Sequence, residues 1–287
     1  MPGTLFIVAT PIGNLEDLTP HALRVLREVD LIACEDTRHT RVLLNRFGIK
    51  AKTISYHEHN ERERAAELCR LLESGKNVAV VSDAGTPLIS DPGFRIVRAA
   101  IERDVPVVPI PGATAFVAAI AASGLACDRF FFAGFLPARS SARRAMLEEL
   151  RPIPATLVFY EAPHRIAATL KDALNALGDR TAAVARELTK LHEEIARGSL
   201  DELAQRFSAG APARGEMVLL ISGANETEIP AGAKSEDAPA RLAARVSALE
   251  SEGFDSKLAL RKAARELGLK RAEAYRFMVA QKKRRSK

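Results

Sequence analysis

The residues best suited to chemistry in this chain of 287 residues fall in five loops rich in Pro, Gly and acidic side chains: Thr10–Asn14, Asp83–Gly93, Pro111–Ala115, Tyr160–Arg165 and Ala185–Lys190. The longest runs Asp83-Ala84-Gly85-Thr86-Pro87-Leu88-Ile89-Ser90-Asp91-Pro92-Gly93. Its glycines and prolines give a stiff backbone with exposed amides and carbonyls. A plain turn closed by an Asp91-Pro92 Ncap–N1 pair needs only about four residues, and this stretch has eleven. A dense phosphate ligand calls for Lys or Arg, and Asp83–Gly93 has neither. Backbone groups of such Ala/Gly/Pro segments suit a nucleoside of low negative charge, with an adenine, a ribose and an amino-acid end. Several other chemistries lack their signatures. There is no G-x-G-x-x-G after the first strand, no G-x-x-x-x-G-K-[ST], no H-E-x-x-H and no G-x-S-x-G. Three widely spaced cysteines offer no zinc pattern, so no metal is expected.

The elements around these loops alternate between strand and helix. Asn77–Val81 is a short, uninterrupted, β-branched run, the mark of a strand buried on both faces. Phe94–Ile101 then has helical spacing, so Asp83–Gly93 sits at the carboxyl end of a central strand, where open α/β sheets place ligands. Thr4–Ala9, Leu31–Cys34, Lys52–Tyr56 and Pro106–Ile110 read as further strands. Thr19-Pro20 starts one helix and Asn60 caps another. This alternation predicts a largely parallel sheet. Beyond it lie strands at Arg129–Ala133, Ala155–Tyr160, Thr181–Arg186, His192–Ala196 and Glu216–Ser222, with a capping box at Ser199–Glu202. More strands and fewer crossover helices predict a second, mixed α/β domain. The expected division is 1–117 for a cofactor-binding α/β domain, 118–225 for the mixed domain, 226–238 for a linker and 239–287 for a basic helical module.

Residues 105–127 carry no charge and are long enough to span a membrane, but Pro106, Pro109 and Pro111 break the run. It reads as a strand, a turn and a small-residue helix, so no membrane partner is expected. No secretory leader opens the sequence, and unpaired Cys34, Cys69 and Cys127 fit a reducing, cytoplasmic setting. The net charge of +6 is uneven: residues 234–287 hold 15 Lys/Arg against 7 Asp/Glu, leaving residues 1–233 slightly acidic. Helices expected at Ala240–Glu252, Ser256–Leu267 and Arg271–Lys282, the last two joined through Gly268-Leu269-Lys270, have helix-turn-helix spacing. With the tail Lys282–Lys287 they form a polyanion-binding appendage, which favours nucleic acid as a partner.

The loops resemble those of the tetrapyrrole-methylase superfamily of S-adenosylmethionine-dependent enzymes. The likeness rests on Val8–Leu15, Cys34-Glu35-Asp36-Thr37-Arg38, Ser82–Pro87 with Ile89–Gly93, Pro111–Ala115, Phe159–Arg165 and Arg186–Lys190. It is stronger to the branch that methylates the ribose 2′-oxygen of a decoding-site cytidine in 16S ribosomal RNA, whose members carry a comparable basic appendage. Gly85-Thr86-Pro87 replaces the wider superfamily's Gly-Asp-Pro, which argues against a porphyrinoid substrate. The resemblance implies two α/β domains, S-adenosylmethionine in the cleft between them, a homodimer, and the small ribosomal subunit with its 16S RNA as partner. It implies cofactor contacts from Pro11, Gly13, Asp83, Ala84, Gly85, Thr86, Pro87, Ile89, Ser90, Pro111, Gly112, Ala113, Thr114 and Ala115 on one side. Tyr160, Glu161, Ala185 and Arg186 face them from the other. For the acceptor hydroxyl, Lys190 and Arg38 are expected to stabilise the developing alkoxide, and Glu35 or Glu187 to take the proton. A tetrapyrrole-carbon methylase and a helix-turn-helix regulator are the competing readings; the basic appendage disfavours the first, the catalytic-looking loops the second.

Overall fold

A computed structural model describes residues 1–209, 215–224, 238–252, 254–266 and 274. The first sheet is parallel throughout, in the order β3-β2-β4-β1-β5. Its strands are β1 (Leu5–Val8), β2 (Leu31–Cys34), β3 (Thr53–Ser55), β4 (Val78–Val81) and β5 (Val107–Ile110). They alternate with helices α1 (Pro20–Glu28), α2 (Thr37–Arg46), α3 (Glu61–Glu73) and α4 (Phe94–Ile101). All four residues of β4 are buried, as its apolar run predicts, and they divide by the two-residue period. Ala79 and Val81 pack with Val25, Leu26, Leu43 and Leu44 from α1 and α2. Val78 and Val80 pack with Leu68, Leu72, Ile96 and Ala100 from α3 and α4. The sheet is therefore doubly wound: right-handed crossovers that reverse direction must also change face.

Local signals explain the starts of α1 and α2. The Thr19 side chain accepts from Ala22 N–H with Pro20 in the first turn, and Asp36 caps α2 by accepting from Arg38 N–H. Asn60 precedes α3 but makes no side-chain cap; its amide oxygen accepts from His57 N–H instead. Asp91-Pro92 does not start α4, whose N-cap is Gly93. The cap comes from α3: Glu61 Oε1 accepts from Gly93 N–H (3.1 Å), Arg95 N–H (3.2 Å) and the Tyr56 hydroxyl (3.0 Å).

The second sheet is mixed, in the order β6-β7-β10-β8-β9. It contains β6 (Phe130–Phe135), β7 (Thr156–Glu161), β8 (Thr181–Arg186), β9 (Glu194–Ser199) and β10 (Met217–Ile221). Its helices are α5 (Ala115–Ser123), α6 (Ser140–Leu150), α7 (Ile166–Leu177) and α8 (Leu200–Ala209). β6 and β7 are parallel; β10 runs antiparallel to β7 and β8, and β9 antiparallel to β8. The capping box forms reciprocally, Glu202 N–H to Ser199 Oγ at 3.2 Å and Ser199 N–H to Glu202 Oε2 at 2.8 Å. β6 continues past Ala133 through a register shift between Phe132 and Phe135, with Gly134 at φ 64°. This bulge turns the expected loop residue Phe135 into a strand residue.

The uncharged 105–127 stretch resolves into β5, a turn and α5, and among the described residues no helix is long and apolar enough to cross a membrane. The boundary expected at 117/118 falls inside α5, whose Ala119 and Ile120 pack on Val158, Ala183 and Leu220 of the second sheet. Residues 1–151 and 155–223, with both sheets, form one compact unit; residues 152–154 and 224–287 form another. In the latter, α9 (Ala238–Ser251) and α10 (Ser256–Glu266) share a core of Leu242, Val246, Leu249, Ala259, Ala263, Ala264 and Ala274. The turn at Gly268–Lys270, the helix expected over Arg271–Lys282 apart from Ala274, most of the linker and the basic tail lie outside the described residues.

Candidate active site

β1 and β4 are neighbours, yet the chain leaves β1 toward β2 on one side and β4 toward β5 on the other. Such a switch point opens a crevice at the strands' carboxyl ends. The two loops are joined there. Thr10 N–H donates to the Gly85 carbonyl at 2.8 Å, and Gly85 N–H donates to the Thr10 carbonyl at 3.1 Å. The Thr10 hydroxyl donates to the Ser82 carbonyl (3.2 Å) and the Ser82 hydroxyl to the Gly85 carbonyl (3.2 Å). A third loop is tied in by Thr86, whose hydroxyl donates to the Ala113 carbonyl (3.2 Å) and lies 2.6 Å from that of Thr114. Gly112 fits against β1 so closely that a Cβ on it would lie 2.8 Å from that of Ala9.

The Asp83–Gly93 loop holds Gly85 at φ 82°, Leu88 at 73° and Ser90 at 65°. Left-handed conformations at Leu88 and Ser90 cost roughly 1–3 kcal/mol each and mark a shape imposed for a purpose. With the α4 cap supplied by Glu61, Asp91 is free to face the cavity described below.

The second sheet meets these loops at the ends of β7, β8 and β10. The Thr189 hydroxyl accepts from Asn14 N–H at 2.9 Å, and a Cβ on Gly13 would run into the Lys190 and Thr189 side chains. Glu187 (φ 51°) and Thr189 (φ 63°) are also left-handed. Lys190 Nζ bridges Glu187 Oε1 (2.9 Å) and Glu216 Oε2 (3.3 Å). On the other flank, Tyr160 is boxed by Phe132 and Phe135, with ring centroids 5.0 and 5.6 Å away.

Two adjoining cavities result. The first, about 370 Å³, is lined by Ile12, Asp83–Thr86, Ile89–Asp91, Ala115, Phe135, Tyr160–Pro163, Ala185, Leu188 and Gly215–Val218. The second, about 320 Å³, is lined by Thr10–Gly13, Leu15, His39, Thr40, Val42, Leu43, Ser82–Ala84, Lys190 and Glu216. Ile12, Asp83, Ala84 and Glu216 belong to both and form the partition. Both volumes lie in the range of small-molecule sites.

Carboxylates dominate the first cavity. Burial, then repulsion from Glu35, Asp83 and Glu216, pushes the Asp91 carboxyl up to about 7, against a weaker opposing bond from Ser82. Glu35 is raised by burial and then by Asp83 and Glu58. Burial, with Asp91 and Glu216 nearby, pushes the Tyr160 hydroxyl up to about 12. The bonds to Lys190 hold Glu187 below its ordinary value. Burial works against the Lys190 charge, but its bonds to Glu187 and Glu216 outweigh it and raise its pKa.

The structure brings most of the expected cofactor residues together. Asp83, Ala84, Gly85, Thr86, Ile89, Ser90, Ala115, Tyr160, Glu161 and Ala185 line the first cavity; Pro11 and Gly13 line the second. Pro87, Pro111, Gly112, Ala113 and Thr114, also expected to touch the cofactor, line neither cavity. The Arg186 guanidinium is turned to Glu194 (2.8 Å). The buried Glu161 carboxylate is engaged by Thr169 Oγ1 (2.6 Å), Ala162 N–H (2.8 Å) and Arg165 Nε (3.1 Å). Of the groups expected to act on the acceptor, Lys190 reaches a cavity wall. The Arg38 side chain is 88% exposed and pairs with Asp36 at 2.7 Å; Glu35 and Glu187 stand just outside the linings. Sequence reasoning missed Phe135, Leu188, Met217, Val218 and Glu216. Gly134 inside an apolar strand was the available signal for Phe135, since such a glycine often marks a bulge.

A doubly wound sheet with its crevice at β1 and β4, closed by a mixed second sheet, defines a class. The chain belongs to the tetrapyrrole (corrin/porphyrin) methylase family, whose model matches residues 4–204. Within that family it falls with proteins named ribosomal RNA small subunit methyltransferase I. The one from Micromonospora olivasterospora is 48% identical over 275 residues, covering 95% of this chain and 85% of that one. Its namesake from Halalkalibacterium halodurans is 47% identical, covering 95% and 93%. Among solved structures, the uroporphyrin-III C-methyltransferase of Thermus thermophilus complexed with S-adenosylhomocysteine shares the fold. It has a TM-score of 0.54 at 21% identity and covers 77% of this chain and 97% of that one.

Proposed function

We propose that this protein is an S-adenosylmethionine-dependent methyltransferase that modifies the ribose 2′-oxygen of a cytidine in the decoding region of 16S ribosomal RNA. The observation that carries the cofactor assignment is the charge of the first cavity. Asp83, Asp91 and Glu216 line it, with no Lys, Arg or His among its described residues. That donor set repels a phosphate-bearing nucleotide and favours a ligand whose reacting end is cationic, as a sulfonium is. Apolar walls from Ile12, Ala185, Leu188, Met217 and Val218 fit its nucleoside part, and the partition carboxylates fit its charged end. Bound there, the cofactor would supply an electrophilic methyl group for the ribose oxygen, with its sulfur as the leaving group.

The chain's own residues hold the reactants and manage charge and proton. Lys190 stays protonated between two carboxylates at the cavity wall, placed to steady negative charge growing on the acceptor oxygen. The hydroxyl proton goes to a carboxylate. Of the two expected, Glu35 is the stronger base, because its pKa is raised while that of Glu187 is held down. Arg38 and Arg41, exposed on α2, and the basic 239–287 module supply contacts for RNA phosphate. The name shared by the relatives supports a ribosomal acceptor. The protein works as a homodimer in the cytoplasm on this reading.

The test is transfer of labelled methyl from S-adenosylmethionine to small ribosomal subunits lacking the modification, with the product mapped by ribose-methylation-sensitive primer extension. Incorporation at a single cytidine is expected. No incorporation by protein that binds the cofactor normally would sink the reading.

A further inference from the structure

The Asp91 carboxylate has two possible employments: the amides at the start of α4, just after it in sequence, and the first cavity. We infer that Glu61, on the neighbouring helix α3, decides between them: it is a positioning residue that occupies those amides and so leaves the Asp91 carboxylate to the cofactor. This rests on the methyltransferase reading above.

The sequence around α4 offers Asp91 as its cap. The N-cap position itself is Gly93, which has no side chain to cap with, and Pro92 brings no N–H. Asp91 is the nearest acidic residue, and Asp-Pro is a favourable cap and first-turn pair. The structure gives the duty to a residue 32 positions earlier in the chain. Glu61 Oε1 accepts from Gly93 N–H at 3.1 Å and from Arg95 N–H at 3.2 Å, while Oε2 lies 3.2 Å from Arg95 Nε. Glu61 also opens α3, so its carboxylate stands at the positive ends of two helices at once.

Glu61 is itself held firmly. Its side chain is only 13% exposed. The buried Tyr56 hydroxyl donates to the same Oε1 at 3.0 Å, and Tyr56 N–H donates to the Cys34 carbonyl at the end of β2 (2.8 Å). Asn60 shapes the turn before α3, its Oδ1 accepting from His57 N–H (2.9 Å) and its Nδ2 donating to the Ser55 carbonyl (3.2 Å). Leu68 and Leu72 of α3 share a core with Ile96 and Ala100 of α4, which fixes the distance between the two helices.

The loop that carries Asp91 depends on this anchor. Thr10 holds its beginning at Gly85, and Glu61 holds its end at Gly93. Between them Leu88 and Ser90 are left-handed, and Ile89, Ser90 and Asp91 line the first cavity. Leu88 folds back so far that a Cβ on Gly93 would lie 2.8 Å from its Cδ1. A loop strained in this way relaxes when one end is released. Charge then sets where Asp91 goes. In the cavity Glu35, Asp83 and Glu216 repel it, whereas the uncapped start of α4 attracts it. Without Glu61, Asp91 leaves the cavity to cap the helix.

The test uses full-length wild type, Glu61→Ala, Glu61→Gln, Asp91→Asn and the double variant Glu61→Ala with Asp91→Asn. Calorimetry at pH 8, where Asp91 is mostly ionised, gives the Kd of S-adenosylmethionine and of S-adenosylhomocysteine for each protein. Glu61→Ala should weaken the sulfonium ligand about tenfold more than the thioether, and this selective loss should shrink below about twofold in the Asp91→Asn background. Glu61→Gln keeps the acceptor oxygen and should bring the ratio back to within about threefold of wild type. A crystal structure of Glu61→Ala should show the Asp91 carboxylate accepting from the Gly93 or Phe94 N–H. Equal losses for both ligands in both backgrounds would be a purely structural effect and overturn the assignment, as would a Glu61→Ala crystal with Asp91 still facing the cavity. If Glu61→Ala does not fold, Glu61→Asp, which draws the carboxylate back by one methylene, takes its place in the same cycle and the same crystal. If wild type binds neither ligand, the methyltransferase reading fails by itself, while the crystal still decides what Glu61 does.

Discussion

Thr10 and Gly85 exchange both of their backbone hydrogen bonds, at 2.8 and 3.1 Å, and so weld the loop after β1 to the loop after β4. The weld needs Gly85 at φ 82°, where a Cβ would also sit 3.3 Å from Ile12 Cγ2, a cavity-lining atom. Gly85→Ala should therefore cost about 1–2 kcal/mol from the left-handed backbone alone, and should displace Ile12. Urea denaturation should show the lost stability, and calorimetry at least a tenfold weaker S-adenosylhomocysteine complex. Unchanged cofactor affinity would mean that the weld does not shape the first cavity.

Glu161 lines the first cavity, but its carboxylate is already engaged by Thr169, Ala162 and Arg165, with the side chain fully buried. Removing one partner of a buried ion pair costs about 3–5 kcal/mol, because the other charge remains. Arg165 also holds the Leu136 and Pro137 carbonyls (2.6 and 3.0 Å), next to cavity residue Phe135. Glu161→Gln should thus lower stability by roughly 3 kcal/mol, while the cofactor Kd of the folded protein changes less than threefold. A large affinity loss at unchanged stability would make Glu161 a direct ligand contact.

The main lines of this fold were legible because they depend on short-range rules. β4 was visible as an apolar run with no charge, and α1 and α8 as Thr19-Pro20 and Ser199-x-x-Glu202 starts. The cap on α4 was hidden because it comes from Glu61, more than thirty residues away; Asp91-Pro92 supplied a plausible local substitute. Phe135 was hidden because a bulge at Gly134 decides where it points. The carboxylate group of Glu35, Asp83, Asp91 and Glu216 was invisible for a further reason: its members adjoin three different strands, β2, β4 and β10, and meet only once both sheets are in place.

Lys190 joins Glu187 at 2.9 Å and Glu216 at 3.3 Å, and it is the one Lys or Arg in the described lining of the second cavity, which also holds Asp83 and Glu216. Lys190→Ala should slow single-turnover methyl transfer by about a hundredfold, in line with the loss of one oxyanion donor. The cofactor Kd should stay within a fewfold of wild type. Lys190→Arg keeps the charge but not the ammonium geometry, and should recover only part of the rate. A normal single-turnover rate in Lys190→Ala at saturating substrate would remove this residue from the chemistry.

Asp91 gives a pH signature with a definite sign. Its folded-state value of about 7 stands above the ordinary 3.8, so between those values the folded protein keeps a proton that the unfolded chain has released. The Asp91 contribution to stability is therefore fully present below pH 4 and lost as pH rises through 7. Among the described residues, the groups facing Asp91 are Glu35 from the end of β2, Asp83 and Ser82 from the chain after β4, Glu216 from the start of β10 and Tyr160 from β7; none of these is a cation. A bound sulfonium would favour the ionised carboxylate, whereas the neutral thioether of S-adenosylhomocysteine would not. The ratio of S-adenosylmethionine to S-adenosylhomocysteine affinity should therefore rise severalfold between pH 6 and pH 8, given that a one-unit shift is worth about 1.4 kcal/mol. Asp91→Asn should flatten that profile. Calorimetric titration of both ligands across this range measures it. A flat ratio in wild type would place the sulfonium away from Asp91, and an unchanged profile in Asp91→Asn would assign the titration to Glu35.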